Sequence, residues 1–191
     1  RILGFINGVL GHTSCVRGTI LLDMLRELHE ELGSPADYGS SGGPPAFDEA
    51  AELVDVGPNL VGRMQRLAPA AAAQWLAMVE AAAGDSVTLL IVSGFRSYEY
   101  QAALIRKKIN AGQLVTDILQ VNAAPGHSVH HTGLAVDIAT PGSRPLTEEF
   151  EASEAFRWLG ANAARFGFSM SYPRDNPWGI VYEPWHWAMN R

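Results

Sequence analysis

Two imidazoles and two carboxylates stand in this chain at spacings that suit a metal hydrolase. One pair lies in Ser128-Val129-His130-His131-Thr132-Gly133-Leu134-Ala135-Val136-Asp137, and the other in Glu183-Pro184-Trp185-His186, which begins 46 residues after that aspartate. A catalytic zinc takes three protein ligands and keeps a fourth position open for water. His130, Asp137 and His186 can serve as those ligands. Glu183 is then the spare carboxylate, able to take a proton from an attacking water and hand it to a leaving amine. His127 and His131 compete with His130 for the ligand role, and spacing by itself does not choose among the three.

These groups need elements to hold them. Residues 134–138 read as a strand whose alternation sends Leu134, Val136 and Ile138 to one face and Ala135 and Asp137 to the other. The carboxylate then projects beside a small side chain that leaves room for a metal. Gly133 lets the histidine loop enter that strand. A capping role for Asp137 would account for the first block alone and leave the second unexplained. In the His-Glu-x-x-His zinc motif a helix sets the spacing of ligand and base, whereas Pro184 disfavours a helix across Glu183 to His186. A bend must bring those two together.

Around the site, residues 19–32 place Leu21, Leu25, Leu28 and Leu32 at helical spacing and stop at Gly33. Residues 34–45 are rich in Gly, Ser and Pro and read as a flexible connection, which sets a boundary near residue 50. Helices are expected from Pro69 to Ala83, over 98–111, over 115–121 and over 154–166, and strands over 87–92, 168–172 and 180–182, followed by a last ordered stretch at 185–189. Few strands on short links among helices predict an α+β fold with a small antiparallel sheet carrying the site and helices flanking it. The expected organisation is an N-terminal helical appendage and linker over 1–50, then the zinc domain over 51–191.

Composition sets limits on function. The 191 residues fit one domain with an appendage, and 47% hydrophobic against 18% charged residues is ordinary for a globular chain. No run of about 18 uninterrupted apolar residues is present to cross a bilayer. A net charge of −6 argues against a nucleic-acid partner, and the basic trio Arg106-Lys107-Lys108 reads as a solvated helix face. Cys15 is the only cysteine, so an intrachain disulfide and a cysteine-rich zinc site are both ruled out. The chain starts at Arg1, which leaves room for an upstream targeting segment, and the apolar residues 2–10 are expected to pack on the domain rather than anchor it. No heptad or long apolar stripe calls for self-association.

Three separated blocks carry a resemblance. Ser93-Gly94-Phe95-Arg96-Ser97-Tyr98-Glu99-Tyr100-Gln101, then Pro125 to Ile138, then Glu183-Pro184-Trp185-His186-Trp187 closely resemble the VanY-type D-alanyl-D-alanine carboxypeptidases, a zinc peptidase family that shares its fold with the hedgehog signalling domain. The family pattern is S-x-H-x-x-G-x-A-x-D with a later E-x-W-H. The likeness covers roughly residues 58 to 191, while residues 1–50 match no pattern. It implies that His130, Asp137 and His186 hold one Zn²⁺, that Glu183 is the base acting on a metal-activated water, and that Arg96 steadies the substrate carbonyl and its developing oxyanion. Ser128 and Gln101 are similar to positions lining the family's substrate groove. Val129 and His131 depart from the Glu and Gln that members often carry around the first ligand histidine; neither position is a ligand, but a histidine there can alter charge near neutral pH.

The implied activity is removal of a terminal D-alanine from peptidoglycan stem peptides or their precursors, which places the site of action in the cell envelope outside the cytoplasm. The same site also serves L,D-carboxypeptidases and cell-wall endopeptidases. A zinc-bearing binding module without catalysis is the alternative from another class, against which the presence of both Glu183 and Arg96 counts. Trp178, Trp185 and Trp187 are expected as groove or core aromatics.

Overall fold

The computed structural model describes residues 9–40 and 43–190. The expectation for residues 2–10 falls mostly outside them. A long helix α1 (Val9–Leu32) leads into an irregular stretch, then a two-stranded hairpin, β1 (Val54–Pro58) and β2 (Met64–Leu67), and helix α2 (Pro69–Gly84). Strand β3 (Leu90–Ser93), helices α3 (Tyr98–Asn110) and α4 (Val115–Val121), a short 3₁₀ turn (Val129–Thr132) and strand β4 (Ala135–Ala139) follow. Helix α5 (Glu154–Asn162), strand β5 (Phe168–Met170) and strand β6 (His186–Met189) complete the order. No helix among the described residues is long and apolar enough to cross a membrane.

Strands β3 to β6 form one antiparallel sheet in the order β3-β4-β6-β5. The mixed helix and small-sheet architecture expected from the sequence is therefore what the chain adopts. Strand β4 lies at the centre of the sheet and is buried over all five residues, so it reads as a short apolar run broken only by Asp137. Behind the sheet, Trp75 and Met78 of α2, Leu159 of α5, Phe150 and Phe168 close the main core. Each such side chain contributes about 1.5–3 kcal/mol by leaving water.

A second cluster joins Leu28 and Leu32 of α1 to Tyr98, Ala102 and Ile105 of α3 and to Ile118 and Leu119 of α4. The leucine periodicity of α1 is thus spent on α3. Its last turn is further tied down where His29 Nε2 hydrogen-bonds Pro125 O at 2.7 Å. The chain beyond α1 also reaches the main body, with Phe47 N–H donating to Gly126 O and Ala50 N–H to His131 O.

Two local expectations are corrected. Residues 180–182 form no strand: Val181 N–H is satisfied by Gln120 O, at the end of α4, rather than by a sheet partner. The β1–β2 hairpin was not expected at all, since its turn residues Asn59 to Gly62 carry no Asn-Gly pair and β1 contains Gly57 at a bulge. Elsewhere only the boundaries move: the strand expected over 87–92 narrows to β3, and the helix expected over 154–166 finishes as a 3₁₀ turn from Ala163.

Candidate active site and metal centre

Sheet register assembles the site. In the β4–β6 ladder Asp137 lies opposite His186, and in the β3–β4 ladder it lies opposite Ser93. The 3₁₀ turn that delivers His130 ends at Gly133, whose φ of +66° is left-handed; a Cβ there would also come within 2.7 Å of the Ala68 amide nitrogen. Both conditions require glycine. The anticipated bend at Pro184 is present, with His186 N–H bonded back to Glu183 O at 3.1 Å and residues 184–185 in a turn.

His130, Asp137 and His186 are all buried, and one donor atom from each lies within 4.8 Å of the others. His130 uses Nδ1 on the carbonyl of Gly94 at 2.7 Å. That contact requires the proton on Nδ1 and turns the Nε2 lone pair to the interior. His130 Nε2, Asp137 Oδ1 and His186 Nδ1 are buried without a hydrogen-bond partner. Leaving one such group unpaired costs about 1–3 kcal/mol. Three converging on one point fit a cation, and two imidazoles with one carboxylate are a donor set suited to zinc.

The charge states agree with that reading. Burial drives both imidazoles toward the neutral, ligating form, with His186 pushed down to about 3 and His130 also lowered. Burial would raise Asp137, but charge interactions with its neighbours, the Arg96 guanidinium among them, outweigh it and hold the carboxyl below the usual carboxylate range.

The three neighbouring histidines differ in their hydrogen bonding. His131 spends both ring nitrogens, Nδ1 on Arg96 O at 2.7 Å and Nε2 as acceptor from Gly126 N–H at 3.1 Å. Burial pushes it down to about 4, so it is a neutral strut. His127 packs its ring against Tyr38 and places Nδ1 on Pro44 O. Neither faces the ligand cluster.

A cavity of about 290 Å³ opens over the three ligands and is lined also by Glu183, Arg96, Gln101, Ser128 and Tyr172. Of the candidates from the sequence, all but His127 and His131 therefore line one space. Glu183 is pushed up to about 8, first by burial and then by the Asp137 carboxylate. Gln101 is buried rather than exposed on its helix; its amide nitrogen donates to Ala123 O while Oε1 has no partner. Ser128 is buried, and its hydroxyl makes no hydrogen bond to another described residue. Arg96 hydrogen-bonds Asp137 Oδ2 and, through Nε, Ser93 Oγ at 2.9 Å, which leaves its Nη1 donors unspent.

Sequence reasoning missed Tyr172 and Lys108. The Tyr172 ring packs at 4.7 Å from that of His186, and burial raises its hydroxyl well above the ordinary range. The solvated-face expectation for the basic trio holds for Arg106, which pairs with Glu31, but Lys108 turns into the cavity, where burial lowers its pKa. The 3.6-residue period of α3 points Lys108 to the same side as Gln101 seven residues earlier, a signal the sequence does carry. Trp185 lines the cavity, Trp187 lies in the core and Trp178 is partly exposed.

Comparison with known proteins agrees with this geometry. A D-alanyl-D-alanine carboxypeptidase of Enterococcus faecalis (strain ATCC 700802 / V583) is 33% identical over 120 residues, which is 58% of this chain and 43% of that protein. The chain thus spans less than half the length of that relative. The solved LdcB LD-carboxypeptidase superposes with a TM-score of 0.66 at 30% identity, covering 76% of this chain and 71% of the other. A mutant of the vancomycin-resistance D,D-pentapeptidase VanY from the VanB-type cassette, solved with Zn(II), gives a TM-score of 0.58 at 29% identity, over 77% and 82% of the two chains. Residues 64–189 match the family model VanY, D-alanyl-D-alanine carboxypeptidase, a span that holds every residue lining the cavity, and the chain belongs to this family.

Proposed function

We propose that this chain is a zinc-dependent D-alanyl-D-alanine carboxypeptidase that removes the terminal D-alanine from peptidoglycan stem peptides. The observation that carries the reading is the convergence of His130 Nε2, Asp137 Oδ1 and His186 Nδ1, buried and unpartnered, beneath a cavity that also holds Glu183 and Arg96. Family membership and the Zn(II) of the related D,D-pentapeptidase support it. Catalysis of this kind takes place outside the cytoplasm, where the polymer lies. Residues 51–191 are then the catalytic unit, and the segment before them an appendage that braces α3.

In this reading His130, Asp137 and His186 hold one zinc ion. The bound ion supplies a Lewis acid that acidifies water and polarises the scissile carbonyl. Glu183 takes the proton of the attacking water and returns it to the departing amine. The unspent donors of Arg96 meet the oxyanion that develops on the substrate carbonyl. Gln101 and Ser128 line the same space and position the peptide end.

The test is mass spectrometry of a stem pentapeptide incubated with the zinc-loaded and the chelator-treated protein. Zinc-dependent loss of one alanine is the expected outcome. An intact pentapeptide alongside a shortened tetrapeptide would replace the D,D assignment with L,D cleavage, and no cleavage of either would remove the enzyme reading.

A further inference from the structure

The cationic side chains of this acidic chain are unevenly paired. Arg26, Arg96, Arg106, Arg144, Arg157 and Arg174 each form an ion pair with a carboxylate. Among the described residues Arg63, Arg66, Lys107, Lys108 and Arg165 do not. The first four of these line a single open groove of about 730 Å³, in which no lining residue is acidic. The groove and the catalytic cavity share Arg96, Lys108, Asn122 and Leu146, so one runs into the other.

Two of the cations are held by rings instead of carboxylates. The Arg63 guanidinium lies 5.9 Å from the Tyr100 ring centroid and donates to its hydroxyl at 3.1 Å. Arg66 lies opposite Asp55 in the β1–β2 ladder, yet its guanidinium sits 5.8 Å over Phe95. Stacking on an aromatic face orients a guanidinium without neutralising it. Like charges gathered together repel one another, and such a surface attracts anions; Lys108, at the cavity end, feels the Glu183 carboxylate as well. In a protein of net charge −6 the groove is a local exception.

We infer that this groove is a binding subsite for an acidic peptide, taking carboxylates of the substrate that lie N-terminal to the scissile bond. The inference rests on the carboxypeptidase reading for its polarity. In such an enzyme the chain end fills the 290 Å³ cavity, and the rest of the peptide leaves through the opening that adjoins it. The groove supplies that exit, with Lys108 and Arg96 at the junction and Arg63, Arg66 and Lys107 farther out.

The test compares two synthetic pentapeptides, L-Ala-γ-D-Glu-L-Lys-D-Ala-D-Ala and the same peptide with the free glutamyl carboxylate amidated. They differ in one charge and not in length. The readout is the ratio of kcat/KM for the acidic over the amidated peptide. The ratio exceeds one in the wild-type protein, falls as salt rises, and drops by roughly fivefold in an Arg66→Gln/Lys107→Gln double variant. Both positions are exposed, so the variant is expected to fold, and its melting temperature checks this. A wild-type ratio of one, or a ratio unchanged in a folded variant, overturns the subsite. If the zinc-loaded protein cleaves neither peptide, the carboxypeptidase reading fails instead. Calorimetric binding of the two peptides then decides the groove: preference for the acidic one that the double variant loses sustains it, and equal binding refutes it.

Discussion

Arg96 donates a hydrogen bond to Oδ2 of Asp137, a residue 41 positions away in sequence, and so leaves only Oδ1 of that carboxylate free to face His130 Nε2 at 3.3 Å. One guanidinium thereby orients the Asp137 carboxylate and lines the cavity that the proposed function assigns to the substrate. Replacing it by an uncharged group removes both effects. Arg96→Met is expected to lower kcat by about 10²–10³ and to weaken zinc affinity by about 10-fold or more. Steady-state kinetics at saturating zinc, with a chelator competition for affinity, separates the two losses; unchanged kcat at full zinc occupancy would remove Arg96 from the chemistry.

Glu183 is within the cavity but outside the His130, Asp137 and His186 cluster that could hold the metal. Glu183→Gln is therefore expected to retain one zinc per chain while losing turnover by about 10²–10⁴. Metal content by mass spectrometry and hydrolysis of a pentapeptide are the two readouts. A variant that keeps zinc and keeps its rate would refute the proton-carrier role.

His131 is a strut between two backbone groups, Arg96 O and Gly126 N–H. His131→Leu leaves both buried and unpaired, at a cost of about 1–3 kcal/mol for each. Denaturant unfolding should register that loss, while zinc stoichiometry stays at one. Loss of zinc in a folded variant would instead make His131 a ligand.

The metal-free protein should have a stability maximum. His186 and His131, pushed down to about 3 and about 4, bind protons only when unfolded, so stability rises with pH up to the unfolded histidine value of about 6.5. Glu183, pushed up to about 8, keeps a proton in the folded state that the unfolded chain has already lost, so above that point stability falls as pH approaches 8. Urea unfolding across this range in the presence of chelator measures both slopes. In Glu183→Gln the upper decline should vanish; its persistence would assign it to another group.

Much of the site was legible in the chain because two of its halves are local. His130 and Asp137 share a ten-residue block in which Gly133 and a strand fix their separation, and Glu183 and His186 are joined by a single turn that Pro184 favours over a helix. Residue type and short spacing determined those halves. Tertiary structure alone made them one centre: the antiparallel register that sets Asp137 opposite His186 joins segments 49 positions apart and is fixed by packing of the sheet on α2 and α5. The identity of the ligand histidine also lay beyond spacing. Backbone groups separate the candidates in the folded chain, since the Gly94 carbonyl takes one nitrogen of His130 while the Arg96 carbonyl and Gly126 N–H take both nitrogens of His131. The period of α3 does put Lys108 on the side of Gln101, but that this side meets the cavity depends on the packing of α3 against α1 and α4. Side-chain type and local periodicity are carried by sequence; which buried acceptor is left without a partner depends on groups that only the folded chain brings near.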